Sequence, residues 1–200
     1  MLDEGYIKYH CYWQQTAPLP VSLLTALIDW RDQLYARELI GYYPQHRVGY
    51  GNISIRHQQD RFIISGSQTG HIALTNPAHY SRVDRYDISQ NQVWCSGPVK
   101  ASSETLTHAA VYELSDDFEA VIHVHSLHHW QELLWQVPTT RAEVAYGTPQ
   151  MAAEVARLYR EDSLAETRLF VMAGHEEGIV SFGNSLEEAA EVLYQGLGLI

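Results

Sequence analysis

The sequence predicts a layered α/β domain with a mixed or antiparallel central sheet. Two observations lead to this fold class. Segments with apolar residues at helical spacing alternate with short segments that are continuously apolar or alternate in polarity, as strands do. In chain order they give a long helix, a group of strands, a helix, a strand, a helix, a strand hairpin and a final helix. Because helices and sheets bury their apolar faces against each other, this order predicts helices packed on a central sheet.

The first half of the chain is predicted to hold one helix, four strands and two small loops. The helix begins near Pro20, because proline fits a first helical turn. The segments are a helix over residues 20–40, a turn over 41–44, a glycine-rich loop over 48–51, strands over 52–56 and 61–64, a loop of small and hydroxyl residues over 65–70, and strands over 83–88 and 92–95. Two such loops can offer backbone N–H groups to an anion, although each one alone is more typical of a tight turn.

The second half is predicted to alternate helices and strands more regularly. The segments are a helix over residues 101–114, a strand over 120–125, a short helix over 128–134, a strand over 143–146, a helix that follows Thr148, strands over 168–173 and 179–182, and a helix over 186–197. Ser102 or Ser103 is expected to cap the first of these helices, and Glu104 lies in its first turn, where the helix dipole favours a carboxylate. A helix start flanked by serines also suits an anion, with capping alone as the simpler explanation.

Length and charge narrow the possible functions. Two hundred residues suffice for one domain with a substantial core, so we predict a single domain over 1–200, with residues 1–18 as an N-terminal extension. The 13 basic and 24 acidic residues give a formal net charge of −11. This balance argues against nucleic-acid or anionic-membrane partners, which bind clusters of Lys and Arg. An anionic substrate would be held mainly by backbone N–H groups, hydroxyls or a metal.

The cysteines and the first residues predict a cytoplasmic protein. Cys11 and Cys95 form neither a disulfide framework nor a C-x-x-C pair, which is typical of free thiols in a reducing compartment. Asp3 and Glu4 stand where a secretion signal would need basic and then apolar residues. No apolar run approaches the roughly 20 residues that span a bilayer.

Three histidines are candidate metal ligands. His123 and His125 end an apolar strand, and residues i and i+2 of a strand point to the same face. Neutral imidazole is the commonest metal ligand, although many such pairs are core or surface histidines. His175 follows another apolar strand directly and is a plausible third ligand, because a three-ligand zinc site keeps a position open for substrate. Glu104 precedes the pair on a helix that can pack against the same strand.

Four segments in order resemble the class II aldolase/adducin family. Residues 51–56 (GNISIR) resemble its G-N-hydrophobic-S-x-R segment, residues 101–104 (ASSE) with His108 its S-S-E-x-x-x-H helix start, residues 123–125 (HVH) its H-x-H metal pair, and residues 171–175 (VMAGH) with Gly178 and Gly183 the turn with its third histidine. Residues 185–189 (SLEEA) also resemble its last helix. The resemblance extends over about residues 20–198.

The resemblance implies a class II aldolase-like three-layer α/β/α fold with a mixed, largely antiparallel central sheet. It also implies a homotetramer with active sites at subunit boundaries. It implies Zn²⁺, or another divalent metal, held by His123, His125 and His175, with Glu104 as the acid/base. The residues that it implies for a substrate phosphate are Gly51, Asn52, Thr69, Gly70, Ser102 and Ser103.

The function that the resemblance implies is that of a zinc-dependent lyase. Such an aldolase cleaves a small sugar phosphate or related hydroxy-carbonyl compound through a metal-stabilised enediolate. The same site can serve epimerisation, dehydration or decarboxylation, and these reactions remain alternatives. A third hypothesis is a non-catalytic, adducin-like assembly module, which has no need of three histidines and a glutamate.

The sequence departs from the family pattern in both loops near the predicted site. Gly49 stands where the aldolases have a threonine, and the loop over 65–70 is about two residues longer. The N-H-G turn of the family is replaced by a turn with Glu176 and Glu177, which are expected to be solvent-exposed.

The chain is also short between His125 and Gly147. In sugar-phosphate aldolases this segment carries a tyrosine that acts as the proton donor in the active site of the neighbouring subunit. No equivalent tyrosine is evident here. Tyr146, His128 and His129 are candidate replacements, although each is more typical of a structural or surface residue.

Overall fold

The computed structural model describes residues 5–58 and 60–200. The strands in this part of the chain are β1 (His10–Gln15), β2 (Gly41–Tyr43), β3 (Val48–Tyr50), β4 (Asn52–Arg56), β5 (Phe62–Ser65), β6 (Tyr80–Asp87), β7 (Gln92–Gly97), β8 (Ala120–His125), β9 (Leu169–Val171) and β10 (Gly178–Gly183). The helices are α1 (Thr25–Ala36), α2 (Thr105–Tyr112), α3 (Leu127–Leu133), α4 (Pro149–Glu161), α5 (Leu164–Thr167) and α6 (Leu186–Gly196). None of these helices, over the described residues, is long and apolar enough to cross a membrane.

Eight of the strands form one sheet, in the order β1-β7-β6-β5-β4-β8-β10-β9. β1 and β7 run parallel, and every other neighbouring pair is antiparallel. The sheet is therefore mixed and largely antiparallel, as predicted. β2 and β3 form a separate antiparallel hairpin.

Apolar clusters cover both faces of this sheet. Successive residues of β8 alternate between them, with Val121 in one cluster and Ile122 and Val124 in the other. Residues of α2 and α4 complete the first cluster, and residues of α1 and α6 complete the second. The result is the predicted three-layer α/β/α arrangement. His123 and His125 alternate in phase with Val121, so they face the layer formed by α2 and α4.

The helix predicted over residues 20–40 is shorter than expected. A 3₁₀ turn at Val21–Leu23 precedes α1, which ends one turn early. Glu38 adopts a left-handed conformation with a φ of 60°, and the N–H of Leu39 bonds back to the carbonyl of Leu34 at 3.0 Å. The chain therefore turns into the core after α1. The apolar residues up to Leu34 belong to the helix, whereas Leu39 and Ile40 belong to the connection between α1 and β2.

Three short segments also differ from the predictions. β1 lies within residues 1–18, for which the sequence predicts no element, and the β2–β3 hairpin forms where a turn and a glycine-rich loop are predicted. Residues 143–146 form no strand, because the N–H of Val144 bonds the carbonyl of Arg141 at 3.2 Å and closes a turn. Segments this short become strands only where a partner edge is available, which local sequence does not reveal.

Two predicted helix starts are confirmed. Thr148 Oγ1 accepts a hydrogen bond from the N–H of Met151 at 3.3 Å, with Pro149 as the first residue of α4. Ser185 Oγ accepts one from the N–H of Glu188 at 3.1 Å at the start of α6. Each hydroxyl satisfies a backbone donor that has no partner inside the helix.

Candidate active site

Three histidine side chains converge at the end of β8. His123 and His125 lie on β8, and His175 lies in the turn between β9 and β10. β10 pairs with β8 and sets Gly178 opposite His125, which brings this turn beside the histidine pair. The Nε2 atoms of His125 and His175 are 2.9 Å apart, and the potential ligand atoms of all three histidines lie within 4.8 Å of one another. The structure thus brings all three predicted ligands together.

Gly178 leaves the space that these rings occupy. A Cβ atom at this position would lie 2.5 Å from Cδ2 of His175 and 3.3 Å from Nε2 of His123. A side chain here would therefore displace a ring from the cluster.

The three imidazoles are buried and neutral. Each residue is at most 5% exposed. Burial lowers the pKa of His123 to about 3, and it holds the pKa values of His125 and His175 well below the ordinary histidine value. A neutral imidazole keeps the lone pair that a metal ion requires.

The donor set fits a divalent metal ion. Nε2 of His123 is buried and has no hydrogen-bond partner among the described residues, so it lacks the partner that a metal would supply. Tetrahedral zinc with Zn–N bonds of about 2.0–2.1 Å separates two ligand nitrogens by about 3.3 Å. That separation falls between the 2.9 Å contact of two ring nitrogens and the 4.8 Å limit of the cluster. Three protein ligands also leave a position open for a substrate.

Asn52 contacts the side of His123 that points away from the cluster. Its Nδ2 lies 3.2 Å from Nδ1 of His123, while its Oδ1 is buried without a partner among the described residues. A half-turn of the amide exchanges these two atoms and lets Oδ1 accept a hydrogen bond from Nδ1–H. Nε2 of His123 then carries a lone pair toward the cluster. One amide rotation therefore satisfies Oδ1 and prepares His123 to bind a metal.

Glu104 is the N-cap residue of α2. The helix begins at Thr105, and the expectation that Ser102 or Ser103 caps it is wrong, because Ser102 Oγ accepts its hydrogen bond from the N–H of Glu104 itself at 3.2 Å. Oε2 of Glu104 accepts a hydrogen bond from Thr107 Oγ1 at 2.5 Å. Its Oε1 is buried and has no partner among the described residues. One carboxylate oxygen is thus held and the other is available.

The pKa of Glu104 is raised to about 7. Burial is the main cause, since the residue is 1% exposed, and the Thr107 hydroxyl and the Lys8 ammonium offset part of the effect. A carboxyl group with a pKa near neutrality can both accept and return a proton at physiological pH.

His108 anchors the helix of Glu104 to the sheet beside the histidines. Its Nδ1 lies 2.7 Å from Ser54 Oγ, which also lies 2.7 Å from the Tyr112 hydroxyl. Ser54 belongs to β4 and pairs with Val121 on β8. Two contacts from α2 to one serine therefore fix this helix against β4, the strand next to β8.

The six residues predicted to bind a phosphate line one small pocket. They are Gly51, Asn52, Thr69, Gly70, Ser102 and Ser103. Hydroxyls, amides and backbone groups form its walls, and none of the described residues that line it has a charged side chain. Gly49 also contributes, and a Cβ atom there would lie 2.9 Å from the backbone nitrogen of Gly70. The close approach of these two loops explains why this chain has glycine where the aldolases have threonine.

Arg31 holds the longer loop of this pocket from behind. The guanidinium is 1% exposed and donates to the carbonyls of Thr69 at 3.0 Å, Ala73 at 3.3 Å and Ile72. No role was predicted for this residue, although it shares the helical spacing of the buried leucines Leu27 and Leu34 of α1. The guanidinium of Arg31 thus lies behind the pocket wall, in contact with the carbonyl of Thr69.

The N-terminal segment reaches both parts of the site. Gly5 lines the pocket, and the Lys8 ammonium lies 3.5 Å over the ring of Tyr146, which packs edge-on against His175 at 4.5 Å between centroids. The Tyr9 hydroxyl lies 2.9 Å from the carbonyl of Ser102, to which it donates. These contacts attach the start of the chain to the loop before α2, to the pocket and to the third histidine.

The three candidate proton donors differ in their surroundings. The Tyr146 hydroxyl accepts a hydrogen bond from the N–H of Tyr6 at 3.3 Å, so it is engaged with the N-terminal segment. His128 is 74% exposed and lies 3.5 Å from Glu132. Nδ1 of His129 lies 2.8 Å from Ser126 Oγ. Tyr146 is the candidate that lies beside the histidine cluster, through its ring.

A surface cleft leads to the histidine cluster. It has a volume of about 910 Å³, and its walls include His125, Tyr50, Arg37 and Glu177. Glu176 is exposed as expected, whereas Glu177 is half-buried and therefore differs from the prediction. The cleft brings a small molecule to the edge of the histidine cluster, where it borders His125.

The family sequence model described as the Class II Aldolase and Adducin N-terminal domain matches residues 34–195. The chain belongs to the class II aldolase and adducin family. Because the match begins at residue 34, the N-terminal segment and Arg31 lie outside it. A comparison with curated protein sequences returned no match.

Several solved structures share the fold. An L-fuculose 1-phosphate aldolase is 18% identical with a TM-score of 0.65, and the alignment covers 91% of this chain and 86% of that chain. The L-fuculose-1-phosphate aldolase from Thermus thermophilus is 23% identical with a TM-score of 0.61, covering 90% and 88%. YgbL from Escherichia coli, described as a putative aldolase/epimerase/decarboxylase, is 20% identical with a TM-score of 0.63, covering 90% and 88%. At these identities the likeness establishes the class II aldolase fold.

Proposed function

We propose that this protein is a divalent-metal-dependent lyase that cleaves a carbon–carbon bond in a small phosphorylated hydroxy-carbonyl compound. The observation that carries the proposal is the buried cluster of three neutral histidines, whose nitrogens lie within 4.8 Å of one another. Within this cluster Nε2 of His123 is buried without a hydrogen-bond partner among the described residues, and a buried polar atom in that state costs about 1–3 kcal/mol. A metal ion removes that cost.

In this proposal His123, His125 and His175 hold the ion, and zinc is the metal that the donor set suits first. When bound, the ion supplies a Lewis acid that polarises a substrate carbonyl. The histidines themselves take no proton during the reaction, since their lone pairs are committed to the metal.

Glu104 moves the proton. In cleavage the substrate hydroxyl gives up its proton to solvent, the carbon–carbon bond breaks to release an aldehyde, and the bonding electron pair stays on the carbon next to the substrate carbonyl. Glu104 then delivers a proton to that carbon, and it removes the same proton in the condensation direction. Its pKa of about 7 supports both roles at neutral pH, and its Oε1 has no other partner among the described residues.

The substrate phosphate occupies the neutral pocket. Backbone N–H groups and the hydroxyls of Ser102, Ser103 and Thr69 supply the hydrogen bonds. Arg31, which is paired with Asp32 at 3.3 Å, donates to the carbonyl of Thr69 and so holds the pocket loop without entering the pocket. This arrangement agrees with a chain of net charge −11, in which acidic residues outnumber basic ones by 24 to 13.

The test is cleavage of ketose 1-phosphates by the metal-loaded protein, with aldehyde release as the readout. Glu104→Gln is expected to retain the metal and to lose most turnover, whereas Glu176→Gln, which changes an exposed glutamate of the histidine turn, is expected to retain both. Full turnover in Glu104→Gln would overturn the role of this carboxyl group.

Decarboxylation at the same site is the second candidate. Its specific support is the hydroxyl of Tyr146, which is bonded to the backbone of Tyr6 and so is engaged away from the cluster. Decarboxylation needs one proton delivered to carbon, a task that Glu104 can perform alone, whereas aldol cleavage also needs a base for the substrate hydroxyl. The similar YgbL structure is described as a putative aldolase/epimerase/decarboxylase. Product analysis on a panel of phosphorylated ketoses and keto acids separates release of aldehyde from release of CO₂.

A homotetramer and a cytoplasmic location complete the proposal. The family resemblance supports the tetramer, and the two free cysteines support the cytoplasmic location. Sedimentation analysis of the purified protein tests the tetramer. The adducin-like alternative returns if the purified protein takes up no divalent metal.

A further inference from the structure

A tyrosine and a glutamate lie on the outer side of His125, the side that faces away from the other two histidines. The Tyr43 hydroxyl lies 3.3 Å from Nδ1 of His125 and donates a hydrogen bond to the Glu177 carboxylate. Nε2 of His125 points the other way and lies 2.9 Å from Nε2 of His175. The three groups therefore form a chain of carboxylate, hydroxyl and imidazole that ends at the metal cluster.

The protons in this chain can be assigned from its chemistry. The Tyr43 hydroxyl has one hydrogen, and it donates this hydrogen in its bond to the Glu177 carboxylate, whose oxygen accepts. Toward His125 the phenolic oxygen can then only accept, so Nδ1 of His125 must carry the hydrogen. A neutral imidazole has one N–H, and Nε2 of His125 is therefore left with a lone pair directed at the cluster.

Both supporting residues are held in place by the fold. Glu177 adopts a left-handed conformation with a φ of 71°, and its carbonyl accepts a hydrogen bond from the N–H of Ser126 at 3.1 Å. Tyr43 lies on the β2–β3 hairpin, where its ring packs on Tyr50 at 4.4 Å between centroids. Tyr50 in turn stacks on His125 at 5.4 Å. The His125 ring is thus fixed by stacking on one side and by the hydrogen-bonded chain at Nδ1.

We infer that Glu177, acting through Tyr43, sets the tautomer and orientation of His125 and thereby tightens metal binding at the cluster. Both are positioning residues, and the inference rests on the proposed metal function. Metal-ligating histidines commonly donate their second N–H to such a partner, and loss of the partner typically costs about 10–100-fold in metal affinity. Here the hydroxyl of Tyr43 lies between the carboxylate of Glu177 and Nδ1 of His125.

The hairpin and the glutamate give this chain its own support for His125. Glu177 belongs to the turn that replaces the N-H-G turn of the family pattern. His123 has a separate partner in Asn52, whose amide lies 3.2 Å from its Nδ1. Each of the two histidines on β8 is therefore supported from a different segment of the chain.

The test measures zinc affinity by competition with a chromophoric chelator, after the protein has been stripped of metal. Tyr43→Phe is expected to weaken zinc binding about 10-fold or more, because it removes the acceptor of the Nδ1 hydrogen. Glu177→Gln keeps the shape and is expected to weaken binding less. Glu176→Gln removes the same charge from the neighbouring exposed position and serves as the matched control, with wild-type affinity.

A second readout separates positioning from general damage. Nitrogen-15 NMR of the labelled histidines is expected to show Nδ1–H on His125 in the zinc-loaded wild type, and a loss of its protection from solvent exchange in Tyr43→Phe. If the wild type binds zinc while Tyr43→Phe and Glu177→Gln bind it as tightly as Glu176→Gln, the inference is wrong. If the wild type binds no divalent metal, the proposed function itself fails.

Discussion

Asn52 and His123 lie opposite each other on β4 and β8, with the asparagine amide 3.2 Å from Nδ1 of the histidine. Asn52 therefore belongs to two parts of the site at once, since it also lines the neutral pocket. A residue assigned only to phosphate binding would affect anion affinity alone. The geometry also gives it a contact with His123, a proposed metal ligand.

Replacement of Asn52 by alanine is expected to weaken zinc binding by about 10-fold or more, because Nδ1 of His123 loses its buried partner. Ser103→Ala is the matched control. Ser103 lines the same pocket but makes no hydrogen bond to a histidine among the described residues. It is expected to weaken binding of inorganic phosphate and leave zinc affinity unchanged. Isothermal titration of each ligand measures both effects, and equal zinc affinity in Asn52→Ala and wild type would exclude the contact.

The buried carboxyl group of Glu104 predicts a pH-dependent cost to stability. Its pKa rises from 4.5 to about 7 on folding, so the folded state binds more protons than the unfolded state between these two values. The free energy of unfolding of the metal-free protein therefore falls as pH rises through this window, by about 3 kcal/mol at this one site.

Glu104→Gln removes this cost, so the metal-free variant is expected to gain stability over wild type as pH rises from 5 to 8. Urea unfolding at the two pH values measures the difference. Glu176→Gln, exposed on the histidine turn, provides the control for a general effect of removing a negative charge. A stability difference that is the same at pH 5 and pH 8 would contradict the burial of an ionisable carboxyl group.

Removal of the Arg31 guanidinium is expected to loosen the pocket loop. Arg31→Met leaves three backbone carbonyls without their donor, and it should destabilise the protein by about 3 kcal/mol and weaken phosphate binding. Arg31→Lys keeps the charge but has fewer hydrogen-bond donors. Its stability and phosphate affinity should lie between those of Arg31→Met and wild type. Arg160→Met, on the exposed side of α4, is the control. Wild-type phosphate affinity in a folded Arg31→Met protein would show that the loop does not need this support.

Lys8→Met tests whether the N-terminal segment is part of the site. The Lys8 ammonium lowers the pKa of Glu104, so its removal is expected to raise that pKa further. Carbon-13 NMR of the labelled glutamates in the metal-free protein measures the titration. Lys100→Met removes the chain's other lysine, at an exposed position, and should leave the Glu104 titration unchanged. Identical Glu104 titrations in Lys8→Met and wild type would show that the Lys8 ammonium does not interact electrostatically with Glu104.

The histidine cluster was the most predictable part of this protein, because its signals are local. His123 and His125 share a strand face by the two-residue period, and His175 follows a strand that can return beside them. The mixed sheet with helices packed on it also followed from the alternation of apolar segments. Each of these predictions needs only spacing within one segment, or the motif order that the family shares.

The supporting contacts could not be predicted, because they join segments far apart in the chain. Tyr43 meets Glu177 only because a hairpin forms at residues 41–50, and the sequence there predicts a turn and a loop. Asn52 meets His123 through the register of β4 on β8, and one residue of slip would turn the amide to the other face. Such contacts depend on pairing between strands, on which local periodicity carries no information.

The measurement that tests the central claim most directly is the metal stoichiometry of the stripped protein after titration with zinc, cobalt and manganese. The account predicts one divalent ion per chain, a tetrahedral cobalt absorption spectrum, and loss of tight binding in His175→Ala, while His128→Ala, an exposed histidine, binds as wild type does. A folded wild-type protein that takes up none of the three metals, or that binds them equally well without His175, would contradict it.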